Sequence, residues 1–332
     1  MIKQPYIIAE IASAHEGSHE ILGKIVDQLI DIKPNAIKFQ IFKTDQLLVK
    51  SHPMYDEFNK IFMNRSVWMS MLKKVRGKEI EVIVEPFDND SFIYAKKEMK
   101  IKNFKIPPTN IADLNLIKEI AQDSEKIFLG VGGSTQIEIS NAIDAIQETN
   151  NEKLILVCGV QSFPTKLEDT KLSQINFLKN KFGLDVCFAD HIDAENKELA
   201  KLVPILAYNS GANFIEKHIN LDRSLKGKDY YSSMNPNEFK DLVNSLRNIH
   251  ILYGQTDKWL LSEADSEYRK FSKKFAVARK LIIKGTLITE DLFDYKRSIE
   301  LGATIYEICH LVGKTINKDL KADEVLKSEY LD

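Results

Sequence analysis

Residues 36–42 read AIKFQIF and residues 80–87 read IEVIVEPF. Both are short runs rich in β-branched and aromatic side chains, the composition of a strand. In an extended chain Lys38 and Gln40 share one face, because side chains alternate with period two. Similar runs recur at Tyr6–Ala12 (YIIAEIA), Phe104–Pro107 (FKIP), Ile127–Gly132 (IFLGVG), Leu154–Val160 (LILVCGV), Asp185–Asp190 (DVCFAD) and Phe214–Ile219 (FIEKHI). Between them apolar residues return at helical intervals, as in Ile21, Ile25, Leu29 and Leu114, Ile117, Ile120. Eight strand–helix repeats spaced about 30 residues apart predict a closed (β/α)₈ TIM barrel. The competing fold, a doubly wound open sheet, carries a glycine-rich fingerprint after its first strand. None stands there in this chain.

The barrel is expected over residues 1–254. Residues 255–272 are charged and read as a linker with a short helix. From residue 273 to 332 short β segments with turn residues, Lys284-Gly285 among them, predict a small β-rich domain whose core is marginal by itself. The 332 residues are 44% hydrophobic and 28% charged, ordinary for a folded globular chain. Lysine plus arginine is 46 and aspartate plus glutamate 48, a net charge of −2, so no broad field exists for nucleic acid or an anionic membrane. Cys158, Cys187 and Cys309 lie far apart, and no disulfide framework or CxxC pair is expected. Pro5 and Glu10 interrupt the N-terminal apolar run, and no stretch of about 18 apolar residues occurs, so neither a secretory signal nor a membrane span is expected. The cytosol is the expected compartment.

In a barrel of this kind the polar residues at the C-terminal strand ends are the candidates for chemistry. They are Ser13–Gly17 (SAHEG), Lys38 and Gln40, Lys105, Asp190-His191, and Glu216-Lys217-His218. His191 and His218 stand at adjacent strand ends and offer two imidazoles to one divalent cation, leaving positions open for water and substrate. Each could equally be a hydrogen-bonded core histidine. Lys38 and Lys105 interrupt apolar runs, where they suit a carboxylate, a phosphate or a Schiff base, or an internal ion pair with Glu10, Glu85 or Glu216. Glu16 is a candidate general base or a solvated loop acid. Gly130–Thr135 (GVGGST) could cradle an anion, although Thr135 and Glu138 already explain themselves as a capping box.

The ordered motifs AEIASAHEGSHEI, AIKFQIFK, EPFD, FKIP, SFPT, ADH, FIEKHINLDR and GKDYYSS resemble the sialic acid synthase family. AVARKLIIKGTLITEDLFDYKR similarly resembles that family's antifreeze-like SAF domain. The resemblance implies condensation of phosphoenolpyruvate with the aldehyde of an N-acylated hexosamine, releasing phosphate and forming a nonulosonic acid for surface polysaccharide. It implies Mn²⁺ or Mg²⁺ held by His191 and His218, with Glu16, Lys38 and Lys105 as catalytic and donor-binding groups. Gln40 and Asp229 correspond to sugar contacts, and Arg297 to an arginine reaching over the sugar from the partner in a domain-swapped homodimer.

The departures lie on the donor side. The family pattern has hydroxyls where this chain has Glu85, Pro108 and Ala189, and Ser-Thr-Gly where it has Gly130-Val131-Gly132. Asn110 replaces a glutamate and is kept as a substrate-binding candidate; Thr109 and Ser134 are neighbouring hydroxyls. At about 4 Å and moderate dielectric, Glu85 would repel a phosphate by a few kcal/mol. A metal-dependent aldolase or lyase with a non-phosphorylated donor, or a non-catalytic sugar-binding paralogue, are the alternatives.

Overall fold

The computed structural model describes residues 4–149, 151, 153–254 and 258–332. The chain divides into two compact units, Met1–Gly254 and Gln255–Asp332.

The first unit is a closed barrel of eight parallel strands in sequential order. They are β1 (Tyr6–Glu10), β2 (Ala36–Ile41), β3 (Glu81–Pro86), β4 (Asn103–Ile106), β5 (Lys126–Gly130), β6 (Leu154–Cys158), β7 (Asp185–Asp190) and β8 (Phe214–His218). Seven of these stop one or two residues short of the apolar runs that announce them. The cause is local: Ala12 turns to a positive φ of 43°, and Pro107 and Pro108 offer no ladder N–H. The residues left over become the loops at the barrel mouth.

Alternation along the strands separates two layers. Ile7, Ile37, Val84, Phe104, Leu129, Leu156, Val186 and Ile215 face the surrounding helices in one core. Ile8, Ala36, Ile83, Phe128, Ile155, Cys187 and Phe214 fill the barrel interior in another. Two residues further along, the same inward columns carry Glu10, Lys38, Glu85 and Glu216. The apolar layer therefore closes the N-terminal end, and the polar layer faces the C-terminal mouth.

The helices begin where the sequence places caps. The Ser18 side chain accepts from Ile21 N–H ahead of helix His19–Ile32. Thr135 and Glu138 form the expected capping box before helix Gln136–Gln147. All three cysteines are free. Among the described residues no helix is long and apolar enough to cross a membrane.

In the second unit helix Glu263–Ser272 buries none of its residues; residues 255–257 of the expected linker lie outside the described residues. Strands β9 (Lys274–Ala278) and β10 (Phe293–Arg297) pair antiparallel, with Phe293 opposite Ala278. The apolar run around Leu281–Ile288 contributes only isolated bridges, Ile282 to Leu320 and Leu287 to Thr315. Gly285, at φ 91°, bends the chain between them. Ala276, Ile288, Phe293, Ile308, Ile316 and Leu326 belong to the small core of this unit.

Candidate active site

A cavity of about 540 Å³ opens at the C-terminal mouth, lined among others by Lys38, Gln40, Lys105, His191, His218 and Asp229. Register explains the convergence. Glu10 stands opposite Lys38 on β2 and opposite His218 on β8, and Gln40 stands opposite Glu85 on β3.

The cavity floor is an ion-pair network. Lys38 Nζ contacts Glu10 and lies 2.9 Å from both Glu85 and Glu216. Lys105 Nζ is 2.8 Å from Glu216 and 3.4 Å from Glu85. None of the five side chains is more than 8% exposed. Both lysines make the internal ion pairs that their positions allowed. Burial alone would raise Glu216, but Lys105 and Lys38 hold it far below the usual carboxylate range. Burial opposes the charge on Lys105 too, and Glu216 with Glu85 overcomes it and raises that ammonium. Lys38, sharing those carboxylates and repelled by Lys105, is pulled down by its burial.

The two imidazoles lie side by side, ring centres 5.2 Å apart. His191 Nδ1 lies 2.8 Å from the Val160 carbonyl oxygen. A carbonyl only accepts, so Nδ1 carries the proton and Nε2 keeps its lone pair. His218 Nδ1 is buried without a hydrogen-bond partner. Burial keeps both rings neutral, lowering His191 to about 4 and holding His218, which His191 also disfavours as a cation, well below its ordinary value. A cation about 2.1 Å from one nitrogen of each ring would put the ring centres roughly 5 Å apart, so the pair fits a shared divalent ion. Among the described residues no three His, Cys, Asp or Glu side chains cluster as a metal site.

Asp190 does not join the histidines. It points to the other side of β7 and pairs with Lys217 at 2.6 Å, both side chains fully buried. Phe163, which stands in the SFPT motif but was given no role there, packs its ring 4.4 Å from His191 and 6.0 Å from His218, and remains 44% exposed.

Asp229 lines the cavity and accepts from Ser13 N–H at 2.8 Å, with burial raising its carboxyl. Glu16 is exposed and is not part of the lining; its Oε1 accepts from Lys228 N–H at 3.2 Å. Asn110 is also absent from the lining: its amide donates to the Phe87 carbonyl at 3.2 Å. The backbone turn after β4 aims it at that loop, while Thr109 and Ser134 face the cavity. Arg297 belongs to the second unit, exposed at the end of β10. His15 is a core histidine, 1% exposed, stacked edge-on against Trp68.

Two of the departures prove to be one. A Cβ at Gly130 would lie 2.5 Å from Pro108 Cδ and 2.8 Å from its Cγ, so the proline ring fills the space of a side chain at 130. At Gly132 a Cβ would strike the Gly159 carbonyl and approach Gln161 Nε2 to 3.0 Å.

Residues 25–258 match the model of the NeuB family. The chain belongs to that family. It is 27% identical to N,N'-diacetyllegionaminic acid synthase of Legionella pneumophila, over 98% of this chain and 94% of that protein. It is 28% identical to pseudaminic acid synthase of Campylobacter jejuni, over 98% and 96%. Among solved structures it resembles the N-acetylneuraminic acid synthetase of Leptospira borgpetersenii, with TM-score 0.72 and 27% identity over 80% of this chain and 92% of that one. The sialic acid synthase resemblance read from the motifs is thus a family relationship spanning nearly the whole chain.

Proposed function

We propose that the chain is an enzyme that joins a three-carbon enolpyruvyl unit, phosphoenolpyruvate or pyruvate, to the aldehyde of an N-acylated hexosamine, giving a nonulosonic acid. The observation that carries this is the His191–His218 pair beside a buried charged floor in a NeuB-family barrel. Family relatives named as synthases of legionaminic and pseudaminic acids support it.

His191 and His218 would hold a divalent cation, Mn²⁺ or Mg²⁺. When bound, such an ion supplies Lewis-acid polarisation of a carbonyl. The chain does the rest by placement. Gln40 and Asp229 present an amide and a carboxyl to sugar hydroxyls. Lys38 and Lys105 fix the electrostatics of the floor, where the donor's carboxylate would rest against the ammonium groups. Phe163 offers an apolar face beside the imidazoles and shields them from bulk water. An antifreeze-like second unit lending Arg297 to a partner's site, in a domain-swapped dimer, belongs to the same proposal.

The test is incubation with Mn²⁺, a panel of N-acylated hexosamines, and either donor, with mass spectrometry for a nine-carbon acid. Product from at least one pair is expected. No product from any pair, with or without Mg²⁺ in place of Mn²⁺, overturns the reading.

A further inference from the structure

Three parts of the cavity meet at Glu10. It ends β1, is 1% exposed, and lines the cavity together with Ala12, Ser13 and Asp229. Its carboxylate is divided between two donors. Oε2 contacts Lys38 Nζ on the floor, and Oε1 accepts from the Ala12 N–H at 2.7 Å. Its carbonyl oxygen accepts at 3.0 Å from the N–H of Ile219, the residue after His218.

The Ala12 contact holds a bend. Ala12 sits at φ 43°, a left-handed conformation that a side chain disfavours, so the turn needs an outside partner to stay formed. The next amide, Ser13 N–H, donates to Asp229 Oδ2 at 2.8 Å. One buried carboxylate thus anchors the bend whose following amide fixes the Asp229 carboxyl.

We propose that Glu10 is a positioning residue linking the two halves of the site: it holds Asp229 in place for the sugar and tempers the charge of Lys38 for the donor. This rests on the condensation reading above and adds a residue that sets the affinity of both reactants. Glu10→Gln separates the two roles. A carboxylate accepts at both oxygens, whereas a carboxamide accepts at one end and donates at the other. The ammonium group takes the amide oxygen, because the charged donor makes the stronger bond. The amide NH₂ is then left facing the Ala12 N–H, and the bend loses its acceptor. Removing a negative charge beside Lys38 also favours an anionic donor. The two affinities therefore move in opposite directions. Glu10→Asp is the counterpart. Aspartate accepts from the amide two residues on, as Asp190 does from the Ile192 N–H at 3.0 Å, so the bend survives with a smaller side chain.

The experiment titrates phosphoenolpyruvate, and separately each N-acylated hexosamine of the panel, into the full chain with Mn²⁺. Calorimetry reads wild type, Glu10→Gln and Glu10→Asp, with melting to certify folding. Glu10→Gln is expected to bind hexosamine at least about fivefold more weakly than wild type, and phosphoenolpyruvate at least about threefold more tightly. Glu10→Asp is expected to keep hexosamine affinity within about twofold. Unchanged hexosamine affinity in Glu10→Gln, or phosphoenolpyruvate affinity that fails to rise, overturns the proposal. So does a greater loss of hexosamine affinity in Glu10→Asp than in Glu10→Gln, because a space-filling role suffers most from the smaller residue. Where Glu10→Gln does not fold, hexosamine affinity kept by Glu10→Asp supports the proposal and its loss overturns it. Wild type that binds both ligands and forms no nine-carbon acid loses the condensation reading alone; wild type that fails to bind either ligand loses both.

Discussion

Lys217 and Asp190 form a 2.6 Å ion pair between β8 and β7, neither side chain exposed to solvent. Each is the chain neighbour of a cavity histidine, so the pair locks the two strand ends from behind. Removing one partner of a buried pair leaves an uncompensated charge. Lys217→Met is expected to cost about 3–5 kcal/mol of folding free energy. Urea unfolding of both proteins measures it; a loss under about 1 kcal/mol would show that the pair contributes little.

His191→Ala and His218→Ala are each expected to weaken Mn²⁺ binding at least about 100-fold. Calorimetric titration reads this directly and independently of turnover. Unchanged Mn²⁺ affinity in either variant would return both rings to the role of core histidines.

Burial lowers His15 to about 4, and its ring is 1% exposed. The unfolded chain, with an ordinary value of about 6.5, binds a proton that the folded chain refuses. The contribution of the neutral ring is complete above about pH 6.5 and is lost as pH falls from there through about 4. Between pH 7 and 4.5, wild type should lose about 2 kcal/mol more stability than His15→Asn. Parallel losses in denaturant midpoints of the two proteins would contradict this.

Gln40 lines the cavity, whereas Asn110 holds the Phe87 carbonyl. Gln40→Ala should therefore raise KM for the sugar severalfold. Asn110→Ala should leave KM near the wild-type value and cost about 1 kcal/mol of stability. A larger KM change in Asn110→Ala than in Gln40→Ala would place the asparagine at the substrate after all.

The barrel and its inward columns were legible because strands enforce a period. Glu10, Lys38, Glu85, Lys105, Glu216 and His218 all fall on alternation positions, and a residue's face follows from counting. Caps were legible for the same reason, as with Thr135 and Glu138, whose spacing is their geometry. Beyond the strand ends no period operates. Glu16 and Asn110 therefore turn to a loop N–H and a loop carbonyl, and Asp190 falls on the outer face that its position on β7 already dictated. Phe163 stood within the SFPT motif without a role, because nothing in its own loop reveals which rings it will meet. The lysines posed another difficulty: sequence placed them near three glutamates, but only side-chain reach shows that all three are used.

The apolar layer of Ile8, Ala36, Ile83, Phe128 and Ile155 stoppers the barrel beneath its charged floor. A molecule that rests on the ion pairs has that layer beneath it, so it takes its place ahead of any partner that covers it, and the architecture sets an order of arrival.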